Sequence, residues 1–415
     1  MANTFKFGNG NWAVKDGSVL AYNDENNNFK PLPFDFTRDS IATRVNRDGL
    51  IEVVPNNMPR IDFLDNTSGH LLLEPSRTNN VPYSEDFTEW GVTSSGTTLT
   101  SNSAISPDGN QTADLLESDS TNAFARVFDA VSLTSGNNCV YSVFVKKSGS
   151  HDFASIRVAG TDVGGFGQTG SNYTFTFSTE TLSNDGGGTA TSTFVENYGS
   201  GWYRIGMEVT NSTITQVNIY PKFNSFVAGE ILMWGAQLEE GGYATSYIPT
   251  EGSSVRRSKD NVDTNYGDIN SLSGEVSVYF NLLPQVSAAS NNNKCLSFGF
   301  NSSDVNNSYA NLRFGTTNWA SRIQGTTGNN FNDLGVDKTT EIKAVMVLEQ
   351  SGYRLYANGS TAVSSGSYGG TAPTINSVAY VQILNDTEDR GIYRIKELKV
   401  YNTALTATEA INLTS

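Results

Sequence analysis

Histidine and cysteine are almost missing from this chain of 415 residues, which has two of each. With only His70 and His151, a Ser-His-Asp triad or a histidine-rich zinc site has almost no material. Both histidines read as loop or packing residues. Cys139 and Cys295 fall in different domains on the reading below, so no bridge between them is expected. Reduced thiols suit a protein folded in a cytoplasm. Basic residues are also scarce: 27 Lys and Arg stand against 42 Asp and Glu, a net charge of −15. Nucleic-acid binding wants a basic stripe, and there is none. The one tight basic cluster, Arg256-Arg-Ser-Lys259, reads as part of a solvated linker. No apolar run is long enough to cross a membrane as a helix. The opening Met-Ala-Asn-Thr-Phe-Lys has no hydrophobic signal-peptide core, so secretion is not expected.

Aromatic residues are plentiful. Apolar residues make up only 37% of the chain, but 22 Phe and 18 Tyr supply large areas for burial. Aromatic and β-branched residues favour strands. A chain of this length should hold two or three domains, since single cores rarely grow past ~250–300 residues.

The chain divides at changes of composition. Residues 1–79 contain short strands such as Phe5-Lys-Phe and Leu50-Ile-Glu-Val-Val54, broken by Pro and Asn. This stretch is too polar to bury a core alone and reads as a small attachment module that packs on a partner or on the next domain. Residues 80–255 carry strands at regular spacing. In Tyr141-Ser-Val-Phe-Val-Lys, Tyr141, Val143 and Val145 share one face. Thr215-Gln-Val-Asn-Ile-Tyr220 and the longer apolar run Ile231–Leu238 follow the same theme. Strands every ~8–12 residues, separated by turns, predict an antiparallel sandwich or jelly roll.

Residues 256–270 read as a linker, overlapping a polar stretch from Glu251 to Asp268. A second sandwich then fills 271–415. Asn358-Gly359 is a strong two-residue hairpin signal. Thr406 and Glu409 are spaced as a capping box for a short terminal helix. The predicted fold class is therefore all-β, with two antiparallel sandwiches in series.

Three stretches carry a resemblance. They are Asp35-Phe-Thr-Arg-Asp-Ser-Ile, then Arg60-Ile-Asp-Phe with Leu71-Leu-Leu-Glu-Pro-Ser-Arg-Thr-Asn79 and Tyr83-Ser-Glu-Asp-Phe, and last Trp234-Gly-Ala-Gln-Leu-Glu to Tyr247-Ile-Pro-Thr250. Together they resemble a signature of virion proteins of tailed bacteriophages, in which an anchoring region precedes a jelly roll similar to carbohydrate-binding modules. Residues 271–415, ending in Tyr401-Asn-Thr-Ala-Leu-Thr406, resemble a laminin-G or concanavalin-like sandwich. The resemblance implies a structural protein of a phage tail fibre or capsid surface. Its implied partners are other virion proteins, sister subunits in a homotrimer, and host-surface glycans, and its implied location is the virion.

Candidate chemistry is sparse. Gly165-Phe-Gly-Gln-Thr-Gly170 matches a dinucleotide motif, but the strand Tyr173-Thr-Phe-Thr-Phe follows it where a helix is needed. Glu85–Asp86, Glu239–Glu240 and Glu388–Asp389 are adjacent pairs. Neighbours on a strand point to opposite faces and make poor acid/base couples. The expectation is a non-enzymatic protein, with a polysaccharide hydrolase or lyase and a secreted bacterial adhesin as the alternatives. Sugar binding needs aromatic faces and polar groups. Trp319, set in the polar run Thr316-Thr-Asn-Trp-Ala-Ser, and Tyr203, alternating with a core Trp202, are the candidates. No cofactor is expected beyond a structural calcium, for which Asp304, Asn306 and Asp386 are candidate oxygen ligands.

Overall fold

The computed structural model describes residues 5–23, 28–93, 95–133, 138–165, 169–210, 213–264, 274–284, 294–299, 309–324, 329–361, 363–368, 380–383 and 393–415. The fold is all-β and antiparallel, with one helix among the described residues. No helix among them is long and apolar enough to cross a membrane. The chain forms two compact units: one comprises residues 1–41, 54–76 and 258–415, the other 42–53 and 77–257.

The second of these units is a sandwich of two six-stranded sheets. One sheet runs, in spatial order, Gly91–Val92, Val127–Leu133, Thr213–Tyr220, Phe153–Thr161, Gly170–Thr176 and Thr181–Gly187. The facing sheet runs Thr97–Ala104, Ala113–Ser118, Gly229–Glu240, Asn138–Lys147, Trp202–Thr210 and Ser192–Gly199. The chain passes back and forth between the sheets, as in a jelly roll. Period-two alternation drives the packing: Tyr141, Val143 and Val145 lie fully buried between the sheets with Ile156, Val217 and Ile219. Cys139 is buried in the same core.

The motif residues of this unit form a hydrogen-bonded seam. Asn79 Nδ2 donates to the Ala236 and Ile248 carbonyls at 3.1 and 2.9 Å, and its Oδ1 accepts from the Val81 and Leu238 amides. The Tyr247 hydroxyl lies 2.7 Å from Ser84 Oγ and donates to Glu85 at 2.9 Å. Gln237 Oε1 accepts from the Ile248 amide at 2.7 Å. The motif thus stitches the long strand Gly229–Glu240 to the segments that flank it.

In the other unit the N-terminal strands are not a separate body. Phe5–Gly8 and His70–Leu73 both pair with Tyr393–Tyr401, and Asn28–Thr37 pairs with Asn261–Thr264, which pairs in turn with Tyr380–Ile383. Short polar strands that cannot close a core alone are completed by strands from the far end of the chain. Of the expected linker, residues 256–264 are described and include strand residues, while 265–270 lie outside the described residues. Val255–Arg257 pairs with Arg77–Asn79, Arg257 is buried, and Asp260 is buried at 1% exposure. Asp260 joins a charged array with Arg38, Arg60 and Glu74. Arg38 meets Asp260 at 2.9 Å, Arg60 meets Glu74 at 2.7 Å and also pairs with Asp260, and the Glu74 amide donates to Asp260 at 2.8 Å. Burial alone would lower the Arg60 pKa, yet the Asp260 and Glu74 charges outweigh it and hold the guanidinium more firmly protonated.

The hairpin and cap signals hold. Asn358 and Gly359 both take positive φ, 44° and 72°, as a primed turn requires. Thr406 and Glu409 form a capping box on helix Ala407–Thr414. That helix packs its Ala410 side with Leu405 over Tyr279, Val345, Val347 and Tyr401.

Candidate functional site

The helix covers only part of its sheet. On the unit built from residues 1–41, 54–76 and 258–415, a polar cleft of about 290 Å³ opens where that sheet meets the N-terminal strands. Its floor is set by strand register. Asn281 stands opposite Lys343 on one neighbouring strand and opposite Glu397 on the other, and Glu397 stands opposite Gly8. Asn281, Lys343 and Glu397 therefore form a row across three strands. The turn Asn66–Gly69 and Asn9 form the opposite wall. That turn is held by Asn66 Oδ1 accepting from the Ser68 amide at 2.9 Å and by Trp12 Nε1 donating to the Ser68 carbonyl at 2.8 Å.

The charges in the cleft are matched. Lys396 pairs with Glu341 at 2.5 Å and Lys399 with Glu397 at 2.8 Å. Lys343 Nζ donates to the Ser415 carbonyl at 2.6 Å. Lys399 also lies 5.0 Å from the centre of the Tyr279 ring. Burial, with the charges of Glu397 and Glu341 nearby, pushes the Tyr279 hydroxyl pKa up. His70, behind the cleft, is buried with Asp62 at 3.4 Å. Burial, with Arg394 and Lys396 beside it, pulls the His70 pKa well down, so its ring is neutral. One polar atom has no match: Asn281 Oδ1 is buried and accepts no hydrogen bond.

The arrangement offers amides, hydroxyls and lysine-paired carboxylates as hydrogen-bonding groups. A glycosidase couple needs one carboxyl held protonated beside a second that is ionised. Here Glu341 and Glu397 are each taken up by a lysine. The adjacent pairs separate as strand geometry requires: Glu239 is fully buried and accepts from the Thr245 amide at 3.0 Å, while Glu240 is exposed. Asp86 caps the short turn at Phe87–Glu89, and Glu85 serves Tyr247. Glu388, Asp389, Asp304, Asn306 and Asp386 lie outside the described residues. Among the described residues no group of three or more His, Cys, Asp or Glu is placed to hold a metal.

The two aromatic candidates sit elsewhere. Trp319 is not in an exposed loop. It is fully buried on strand Asn318–Gln324, with Nε1 donating to the Thr340 carbonyl at 3.1 Å. The polar neighbours that made it look exposed belong to a strand and its turn. Tyr203 points between the sheets, with its ring 5.2 Å from Phe175 and 6.2 Å from Phe177, and its hydroxyl donates to Glu180 at 2.8 Å. Trp202 takes the opposite face, buried, with Nε1 donating to the Ile105 carbonyl at 3.1 Å. The outward and inward assignments of that pair are therefore reversed, and neither candidate offers an open ring face. Asn281, Lys343 and Glu397 were passed over, although their strands were legible. The available signal was polar residues at alternate positions of otherwise apolar strands.

No protein-family model and no curated protein matches the sequence. Solved structures give weak likenesses. The CBM40 of Ruminococcus gnavus IT-sialidase, bound to α2,3-sialyllactose, is 13% identical, covering 37% of this chain and 96% of that one, with a TM-score of 0.29. Domain 4 of AbnA, a GH43 extracellular arabinanase from Geobacillus stearothermophilus in complex with arabinotriose, is 14% identical, covering 42% and 84%, with a TM-score of 0.31. The botulinum neurotoxin serotype D ligand-binding domain with N-acetylneuraminic acid is 13% identical, covering 37% and 39%, with a TM-score of 0.30. Likeness at this level carries no ligand from those proteins to this chain.

Proposed function

We propose that this chain is a non-enzymatic recognition protein whose cleft takes a sugar ring. The observation that carries the reading is the orphaned Asn281 Oδ1, buried in the floor of a concavity otherwise lined by amides, the Ser68 and Tyr279 hydroxyls and charged groups. A buried acceptor without a donor costs about 1–3 kcal/mol, and a sugar hydroxyl is a donor of the right kind. The volume, about 290 Å³, is at the small end of ligand pockets, which span ~300–1,000 Å³. That fits one terminal sugar and argues for modest affinity per site. Copy number would then supply the grip, since avidity gains reach ~10²–10⁴.

The sequence signature supports a place on a phage particle, as a tail-fibre or capsid-surface protein among other virion proteins and sister subunits, with a homotrimer as the assembly. The test is calorimetric titration of the full chain against a glycan array, with Asn281→Ala as the control. Binding that weakens at least tenfold in the variant is expected. No binding across the array, or release of reducing ends from a polysaccharide, would overturn the reading. Immuno-electron microscopy of particles with an antibody to the chain tests the location.

A further inference from the structure

The jelly-roll unit carries a second polar surface of a different character. On the outer face of its sheet, register places Phe128, Asn218, Arg157 and Asn172 in one row across four neighbouring strands. Asn218 is 1% exposed, yet neither its Oδ1 nor its Nδ2 has a hydrogen-bond partner, and Asn172 Oδ1 has none either. Beside the row lies Tyr220, buried, with the Arg126 and Arg157 guanidinium groups close to its hydroxyl; burial raises its pKa and the two arginines oppose that rise. Arg126 lies over the rings of Phe128 and Tyr220, at 5.3 and 5.8 Å. The Arg157 guanidinium lies over Gly170, where a Cβ would meet Nε at 2.8 Å. Among the described residues neither arginine has a carboxylate partner, and the Nε of each is buried without a hydrogen bond.

Other buried groups are also unpartnered, Asn311 among them, but the row beside this one is fully satisfied. Along the next row Ser155 and Thr174 close a complete chain of bonds, 2.7 Å from each other, with Asp185 accepting from Thr174 at 2.8 Å and Ser155 accepting from the Phe223 amide at 2.9 Å. Asp185 is thus spent on a hydroxyl instead of on an arginine. A chain with a net charge of −15 has left two guanidinium groups unneutralised around an unsatisfied amide. Phe124, 43% exposed and stacked edge-on with Phe223 at 5.6 Å, adds an open aromatic ring at the margin.

We infer that this sheet face is a binding site for an anionic sugar, in which the half-exposed Arg126 and Arg157 take the charged group. Guanidinium forks match planar or tetrahedral oxyanions with paired donors, and an aromatic rim with a few fixed polar groups is the usual makeup of a small-molecule site. The charged group is a carboxylate or a sulfate ester. This site is separate from the cleft at Asn281 and stands or falls apart from it.

The experiment is calorimetric titration of the full chain with matched oligosaccharides: uronic-acid forms, sulfate-ester forms and carboxyl-reduced neutral forms. At least tenfold tighter binding of an anionic form than of its neutral counterpart is expected, and the arm that binds identifies the charged group. Arg157→Gln and Arg126→Gln should each erase most of that preference, while Thr406→Ala, at the helix cap of the other unit, keeps it. Should Arg157→Gln fail to fold, Arg126→Gln, on a half-exposed side chain, carries the test. Equal affinity for charged and neutral forms, arginine variants that bind like the parent, or no binding of any anionic form would each overturn the inference.

Discussion

Two asparagines lie buried in the same jelly-roll unit and are treated in opposite ways. Asn79 uses both donors and accepts twice, joining four backbone groups on three segments. Asn218, just as deeply buried, bonds to nothing. The arginines repeat the contrast: Arg60 is locked between Glu74 and Asp260 in its unit, whereas among the described residues Arg126 and Arg157 pair with no carboxylate and lie near Tyr220. Buried polar groups that hold a fold together are satisfied by that fold. Groups left open at a surface keep their bonding capacity for something that arrives later. The Asn79 seam and the Arg60 array hold the architecture, and the Asn218 face and Asn281 are the places proposed above for recognition.

The contrast is most easily broken at the charged array. Asp260→Ala strips the partner from two buried guanidinium groups and should cost about 3–5 kcal/mol, read by urea denaturation. A loss under about 1 kcal/mol would show that the array is solvated and unimportant. Asn79→Ala comes next. Four bonds to buried backbone are lost, and at ~0.5–1.5 kcal/mol net each the expected cost is about 2–6 kcal/mol by the same measurement.

The third test uses pH. Burial pushes the Asp114 carboxyl up to about 6, against hydrogen bonds from the Asn102 and Phe87 amides. The folded state therefore holds a proton that the unfolded state has released between the ordinary carboxylate range and about pH 6. In that window the Asp114 contribution weakens the protein as pH rises, and the penalty is complete above about pH 6. Asp114→Asn should raise the melting temperature at pH 7.5 and leave it unchanged at pH 4. Equal shifts at both values would assign the effect to packing.

Smaller effects sharpen the comparison. Thr406→Ala removes the helix cap, worth about 1 kcal/mol, in thermal unfolding. Asn218→Leu should change stability by less than about 1 kcal/mol, since no intramolecular bond is lost and a desolvated amide is removed. A cost like that of Asn79→Ala would mean that Asn218 is structural after all.

Much of the fold was legible because its signals are local. The alternation Tyr141–Val145, the Asn358-Gly359 turn and the Thr406–Glu409 box each depend on residues within a few positions. Three features were not legible, for one shared reason. Arg257 and Asp260 looked like a solvated linker because their burial depends on Thr245 and Ser246 for the first, and on Arg38 and Arg60 for the second. Trp319 looked exposed because polar neighbours conceal a strand whose indole finds Thr340. Asn218 sits at a polar position of an alternating strand, which normally means solvent, and only the cover of nearby side chains makes it buried. Of the cleft, the strands were readable, but the row Lys343–Asn281–Glu397 exists only through register across three strands.

The pairing of the first strand has a consequence for synthesis. Phe5 lies opposite Val400, so Phe5–Gly8 leaves the ribosome long before its partner exists. At ~5–20 residues per second the wait is roughly 20–80 s. During that interval residues 77–257 can complete their own sandwich, while the N-terminal strands carry open edges that invite pairing with other chains. Nascent chains are thus exposed to misassembly at their leading end, and a chaperone that shields strand edges would raise the yield. A message cut short before Tyr393 would leave a finished jelly roll tethered to an aggregation-prone tail.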